Sequence, residues 1–152
     1  MLGHAPAFSE LLRLIRPPIP GAEALDPYLA EIRKTGIVSN FGPISRRYEA
    51  ALAAKLGVDH CLALSNLSTG LMYMPMAAGL DSGGVILPSL TFAATAHSML
   101  LGGLQPIFAD VDAVTLTLDP HSVAAAIGPE TVAVCGVHTY GTPCDVAGLE
   151  AL

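Results

Sequence analysis

The sequence predicts an α/β protein, a mostly parallel sheet with helices on both faces. Two observations carry that expectation. From residue 58 onward, short apolar runs alternate with longer helix-patterned ones. The short runs "HCLALS" (60–65), "GVILPS" (84–89), "QPIFADV" (105–111) and "TVAVCGVH" (131–138) also lack polar alternation. That is the pattern of strands covered on both faces. Between them lie "STGLMYMPMAAGL" (68–80), "TFAATAHSMLLGG" (91–103) and "DPHSVAAAIG" (119–128). A β–α–β series of this kind belongs in a parallel layer with helical crossovers.

The third of these helices has the clearest ends: Asp119 to cap it, Pro120 at its first position and Gly128 to close it. The helix from Ser68 contains Pro75, which removes one hydrogen bond and crowds the carbonyl of Leu71, at a cost of about 3 kcal/mol. Residues 1–57 read differently, as an N-terminal arm and helices. "AEALDPYLAEIRKTG" and "ISRRYEAALAAKLG" are amphipathic segments joined by the turn-rich "IVSNFGP", and "RPPIP" (16–20) is an extended arm. Residues 58–152 form the α/β part, expected to be incomplete because "CDVAGLEAL" (144–152) is a helix without a Gly or Pro to close it.

Composition narrows the partners. Apolar residues make up 52% of the chain and charged residues 13%, so part of the apolar surface is expected to face another chain or a missing part. The formal net charge of −6 leaves no basic patch beyond Arg46 and Arg47, which argues against nucleic acid and anionic membranes. Residues 82–109 carry no charge, but Gly83, Gly84, Pro88, Gly102, Gly103 and Pro106 cut the run into pieces too short to span a membrane. Glu10, Arg13 and Arg16 interrupt any signal-peptide core, so a cytoplasmic location is expected. Cys61, Cys135 and Cys144 form no C-x-x-C pair and fit buried or idle thiols in a reducing compartment. His60, His97 and His121 have no second ligand at metal spacing, and no metal is expected.

The stretch that points to chemistry is "CLALSNLSTGLM" (61–72), where Ser65, Asn66, Ser68 and Thr69 stand together at a strand-to-helix junction. The first turn of a helix leaves its amides unpaired and its dipole favours an anion, so a phosphate group suits this position. A plain N-cap is the alternative reading of the same residues. "PSLTFAATAH" (88–97) and "VHTYGTPCDV" (137–146) follow the second and fourth expected strands. All three stretches would therefore lie at the carboxyl ends of parallel strands, where open α/β sheets bind ligands. Phe92 is placed there to stack on a flat ring, or else to pack in the core. Asp110 and Asp112 could form an acid pair, but loop hydrogen bonding accounts for them better.

"GIVSNFGPISRRYEAALAAKLGV" (36–58), "ALSNLSTGL" (63–71), "VILPSLTFAATAHSMLLGGLQPIFADVD" (85–112) and "VHTYGTPCDVAGLEAL" (137–152) resemble, in order and spacing, the DegT/DnrJ/StrS-type aminotransferases. The resemblance implies the N-terminal part of the large domain of a fold-type I transferase that uses pyridoxal 5'-phosphate and acts on nucleotide-linked keto-sugars, with a small-molecule amino donor. It implies that Leu67, Ser68 and Thr69 hold the cofactor phosphate and that Phe92 stacks on the pyridine ring. It places His138 and Tyr140 close to the cofactor pocket without giving them a role, and Asn40 in a loop near the active-site entrance. A homodimer, or a missing C-terminal half, is implied as the partner.

The family's cofactor-binding lysine and the Asp that holds the pyridine nitrogen lie beyond the stretches matched here. The lysines of this chain are Lys34 and Lys55, both on N-terminal helices, so no catalytic residue is expected within it. Leu67 also stands where the family carries a smaller residue. Two rival readings follow: a non-catalytic interaction module or gene remnant associating with an intact relative, and a dinucleotide-binding domain. The second is weakened by the lack of G-x-G-x-x-G after any expected strand.

Overall fold

A computed structural model of the chain describes residues 10, 13, 15–39 and 41–152. The chain divides into two compact units, Met1–Ala63 and Leu64–Leu152. The first contains helices α1 (Ala22–Thr35) and α2 (Pro43–Leu56). Both end where glycine makes a left-handed turn possible: Gly36 at φ 68° and Gly57 at φ 69°. Arg47 of α2 grips Glu31 of α1 through two parallel bonds of 2.8 and 2.6 Å. That fork lowers the Glu31 pKa, chiefly through its hydrogen bonds with the guanidinium. Little apolar packing supports the two helices, since α1 buries no residue and α2 only Ala53. "RPPIP" is exposed and without regular structure.

The second unit is an α/β layer. Its described strands, β1 (Gly84–Pro88), β2 (Gln105–Ala109) and β3 (Thr131–Val134), are all parallel in the order β2–β1–β3. Central β1 is buried at every position. Because successive side chains alternate across a strand, Val85 and Leu87 enter one core and Ile86 the other. The first core adds Met99 and Leu104, with Leu71 and Ala96 packed against it, so it lies under α3 (Leu67–Ala77) and α4 (Ala93–Leu101). The second adds Ala109, Leu118 and Val123, with Ala126 and Leu149, under α5 (Pro120–Ala126) and α6 (Val146–Glu150). Helices thus cover both faces of a parallel sheet, as the apolar runs predict.

Four details depart from the sequence reading. The expected strand at 60–65 is absent: the Ala63 amide is taken by the Glu49 carboxylate at 2.9 Å instead of a ladder carbonyl, and Leu62 and Leu64 stay exposed. The stretch 131–138 is a strand only to Val134, because the chain then turns away from β1 after one further bond, Cys135 N–H to the Ile86 carbonyl. β2 is not covered on both faces, since Phe108 is exposed on this edge strand. The edge position also accommodates Pro106, which has no N–H to give. Finally, α5 stops at Ala126, ahead of Gly128, although Asp119 caps it as expected by accepting the His121 amide.

Pro75 lies near the end of α3, where it removes only the late bond to Leu71, and its carbonyl accepts the Leu80 amide in a closing turn. Between β2 and α5 the chain folds back on itself. Asp112 accepts from the Val114 and Thr115 amides and the Thr115 hydroxyl, and these bonds hold its carboxyl below the usual range. Loop hydrogen bonding, not an acid pair, is therefore its role. Cys144 is buried and Cys61 and Cys135 are half-buried.

Candidate functional site

The strand order places the site. The chain passes from β1 to β2 on one side, then to β3 on the other, so the connections diverge between the carboxyl ends of β1 and β3. Such a switch point leaves a crevice where α/β sheets take their ligands. A cavity of about 590 Å³ lies at this point, walled by Leu67 and Ser68 of α3, by Thr91 and Phe92 after β1, and by residues 137–140 after β3. That size suits a small-molecule ligand.

Helix α3 begins here because Asn66 caps it: its side-chain oxygen accepts the Thr69 amide at 2.9 Å and the Thr69 hydroxyl at 3.1 Å. The amides of Leu67 and Ser68 precede the first intrahelical bond, so this end of the helix carries unpaired donors and the positive end of the dipole. Ser98 of α4 donates to the Ser68 carbonyl at 3.0 Å, tying the first turn of α3 to the neighbouring helix. Of the residues expected to hold a phosphate, Leu67 and Ser68 line the cavity. Thr69 is turned to its cap instead, and is not part of the wall.

Phe92 occupies the N-cap of α4 with extended backbone, and its ring is 80% exposed. It is not a core residue, and it shares the cavity with Leu67 and Ser68. Behind it, the Thr91 and Thr95 hydroxyls bond each other at 2.9 Å. Ser68 and Phe92 thus offer a hydroxyl with free helix-terminal amides on one side and an open aromatic face on the other.

The wall after β3 was not assigned a role from the sequence. The signals available there were its position past a strand end and the resemblance, which places it near the cofactor pocket. His138 accepts the Cys144 amide at its Nδ1 (3.1 Å), which places the ring hydrogen on Nε2. The Thr139 hydroxyl is buried and has no hydrogen-bond partner among the described residues. Tyr140 has φ 53°, a left-handed conformation that costs a residue with a Cβ about 1 kcal/mol or more. Asn40 lies outside the described residues. Lys34 and Lys55 belong to α1 and α2 of the first unit, and no lysine lies in residues 64–152. No helix among the described residues is long and apolar enough to cross a membrane.

Comparison with known proteins agrees with this architecture. The sequence profile of the DegT/DnrJ/EryC1/StrS aminotransferase family matches residues 21–152. The chain belongs to this family. Among curated relatives, the dTDP-4-amino-4,6-dideoxy-D-glucose transaminase of Shigella dysenteriae is 39% identical over 134 residues, which is 88% of this chain and 36% of that protein. Among solved structures, DesI, crystallised in the presence of its TDP-sugar product, superposes with a TM-score of 0.86 at 42% identity. The match covers 95% of this chain and 37% of DesI. NtdA of Bacillus subtilis, solved with bound cofactor PMP, superposes with a TM-score of 0.80 at 31% identity, over 85% of this chain and 30% of NtdA. The chain therefore spans a little over a third of the curated relatives it matches.

Proposed function

We propose that this chain forms the cofactor-phosphate and ring-binding part of a pyridoxal-phosphate-dependent aminotransferase that moves an amino group from a donor such as glutamate to a nucleotide-linked keto-sugar. One observation carries the reading: the cavity at the β1/β3 switch point brings the open first turn of α3 and the exposed ring of Phe92 to the same space. The residues present fit a phosphorylated aromatic ring. The Leu67 and Ser68 amides and the Ser68 hydroxyl receive the phosphate, and Asn66 fixes the turn that presents them. Thr69 joins them only if its hydroxyl leaves Asn66. Phe92 lies against the ring face. Pyridoxal phosphate, when bound, supplies the electron sink that amino transfer requires.

This chain's own contribution is binding and orientation. With no lysine after Lys55, it has no amine on the α/β layer to attach the cofactor, and we assign it no catalytic residue. The rest of the site falls to the C-terminal part that corresponds to the remaining length of the relatives, and to a second copy in a homodimer. We place the working protein in the cytoplasm and assign cofactor binding to residues 58–152, preceded by the arm and helices of 1–57. A second reading, a non-catalytic interaction module that associates with an intact family member, is favoured by exposed apolar side chains such as Met76, Leu101 and Val114.

Titration of the chain with pyridoxamine 5'-phosphate, followed by ligand fluorescence, tests the site. Saturable binding is expected, with inorganic phosphate as a competitor. Ser68→Asp, which sets a negative charge at the proposed phosphate seat, should weaken it about tenfold or more. Equal affinity of the variant would remove the phosphate assignment. Borohydride reduction of a pyridoxal phosphate mixture should leave the chain unlabelled at its site, and stoichiometric trapping at Lys34 or Lys55 would overturn the non-catalytic assignment.

A further inference from the structure

We propose that Tyr140 is a ligand-contacting residue, its ring the platform on which the sugar ring of a nucleotide sugar rests; the proposal rests on the sugar-aminotransferase reading above. Two unfavourable features fall on neighbouring residues of one turn. Tyr140 holds φ 53° and ψ 23°, in the left-handed region that a residue with a Cβ avoids. Thr139 beside it keeps a buried hydroxyl without a partner among the described residues. Both residues line the cavity shared with Ser68 and Phe92.

Packing within residues 64–152 does not account for the conformation, because Tyr140 is 88% exposed and gains little from their core. The backbone imposes it instead. The Thr139 amide bonds the Val137 carbonyl, the Gly141 amide bonds the His138 carbonyl, and Gly141 continues the left-handed path at φ 87°. The Cys144 amide holds the His138 ring on the preceding side. Strain maintained by its surroundings, at a cavity wall, with an aromatic ring held out of the core, is the pattern of a functional contact.

The ring's chemistry selects the ligand part. Phe92, on the wall after β1, is already assigned to the flat cofactor ring. Tyr140 stands on the other wall, after β3, and pairs an apolar face with a phenol that both donates and accepts. A hexose presents the complementary surface, a C–H face rimmed by hydroxyls.

The test compares the full chain with Tyr140→Asn, Tyr140→Gly and Tyr140→Phe. Binding of dTDP-glucose and of pyridoxamine 5'-phosphate is measured by saturation-transfer NMR titration, together with Tm. Asn and Gly tolerate the left-handed backbone, so both variants should keep or raise Tm. They should also weaken dTDP-glucose binding about fivefold or more while changing pyridoxamine phosphate affinity less than about twofold. Tyr140→Phe should fall between them and the parent chain. Unchanged dTDP-glucose affinity in the Asn and Gly variants, or no dTDP-glucose binding by the parent chain, would overturn the proposal. So would a joint fall in Tm and in both affinities, which is the signature of a structural residue. If the parent chain binds dTDP-glucose in a Tyr140-dependent way but not pyridoxamine phosphate, the cofactor reading fails and the sugar contact stands.

Discussion

Two glycine-to-alanine substitutions in the α/β unit should have opposite signs. Gly102, just past α4, has an ordinary backbone conformation, so its lack of a side chain answers a spatial need. A Cβ there would sit 2.7 Å from the Met72 carbonyl oxygen and 3.1 Å from Pro75 Cγ, both on α3, and 3.3 Å from the Ser98 carbonyl oxygen. The first two atoms belong to a helix that is itself seated on the sheet, so relief requires α3 and α4 to part. Overpacking of this kind costs about 1–3 kcal/mol, less the roughly 0.5 kcal/mol that Ala gains by restricting the unfolded chain. Gly102→Ala should therefore destabilise by about 0.5–2.5 kcal/mol. Gly128 also has an ordinary φ, and a Cβ there meets nothing within 4 Å, so Gly128→Ala keeps only the gain and stabilises by about 0.5 kcal/mol. Urea unfolding followed by circular dichroism, with a common m-value, measures both. If Gly102→Ala is neutral or stabilising, the close approach of α3 and α4 is wrong. The route by which α4 steadies the head of α3 would then be wrong as well.

Other consequences are open to simple measurement. Asn66→Ala removes the acceptor of the Thr69 amide and hydroxyl and should cost about 1 kcal/mol, with a matching loss of pyridoxamine phosphate affinity; Asn66→Asp should restore the stability but not the affinity, because its charge opposes the phosphate. Burial, and secondarily the neighbouring Cys144, pushes the Cys135 thiol pKa up, so iodoacetamide should label Cys61 ahead of Cys135 in the folded chain, and equal rates would contradict the packing under α3. Glu31 has its pKa lowered by Arg47, and a group of that kind stabilises the fold above its unfolded pKa and loses the contribution as pH falls through the folded one. Helix content of the first unit should therefore drop more steeply on acidification in the parent chain than in Glu31→Gln, as followed by circular dichroism.

The α/β layer was legible because its signals are local. Runs such as "GVILP" carry their burial in their composition, and Asp119–Pro120 writes a helix start in two residues. The absent strand at 60–65 shows the limit: apolar content alone does not say whether a backbone finds a ladder, and here a single carboxylate, Glu49, fourteen residues earlier, takes the amide instead. Edge and centre were equally hidden, so Phe108 read as covered although β2 is outermost. At the candidate site, Ser68 was legible as part of a helix start after small polar residues and Phe92 as a ring just past a strand end, whereas Leu67 came from the family resemblance; all three line the cavity. Thr69 was expected in the wall because its hydroxyl matches that chemistry, and only its bond to Asn66 shows where it turns. Tyr140 was marked only by its place past a strand end and by the resemblance, since a left-handed tyrosine looks in sequence like any other.

The Ser98–Ser68 bond has a mechanical meaning. It joins a side chain on one helix to the opening turn of another, and so ties the proposed seat for an anion to the helix that starts after Phe92. Thermal motion that would otherwise blur the distance between them is shared instead. A ligand bridging the two then finds its grips already spaced, and surrenders less freedom on binding than it would between independent arms.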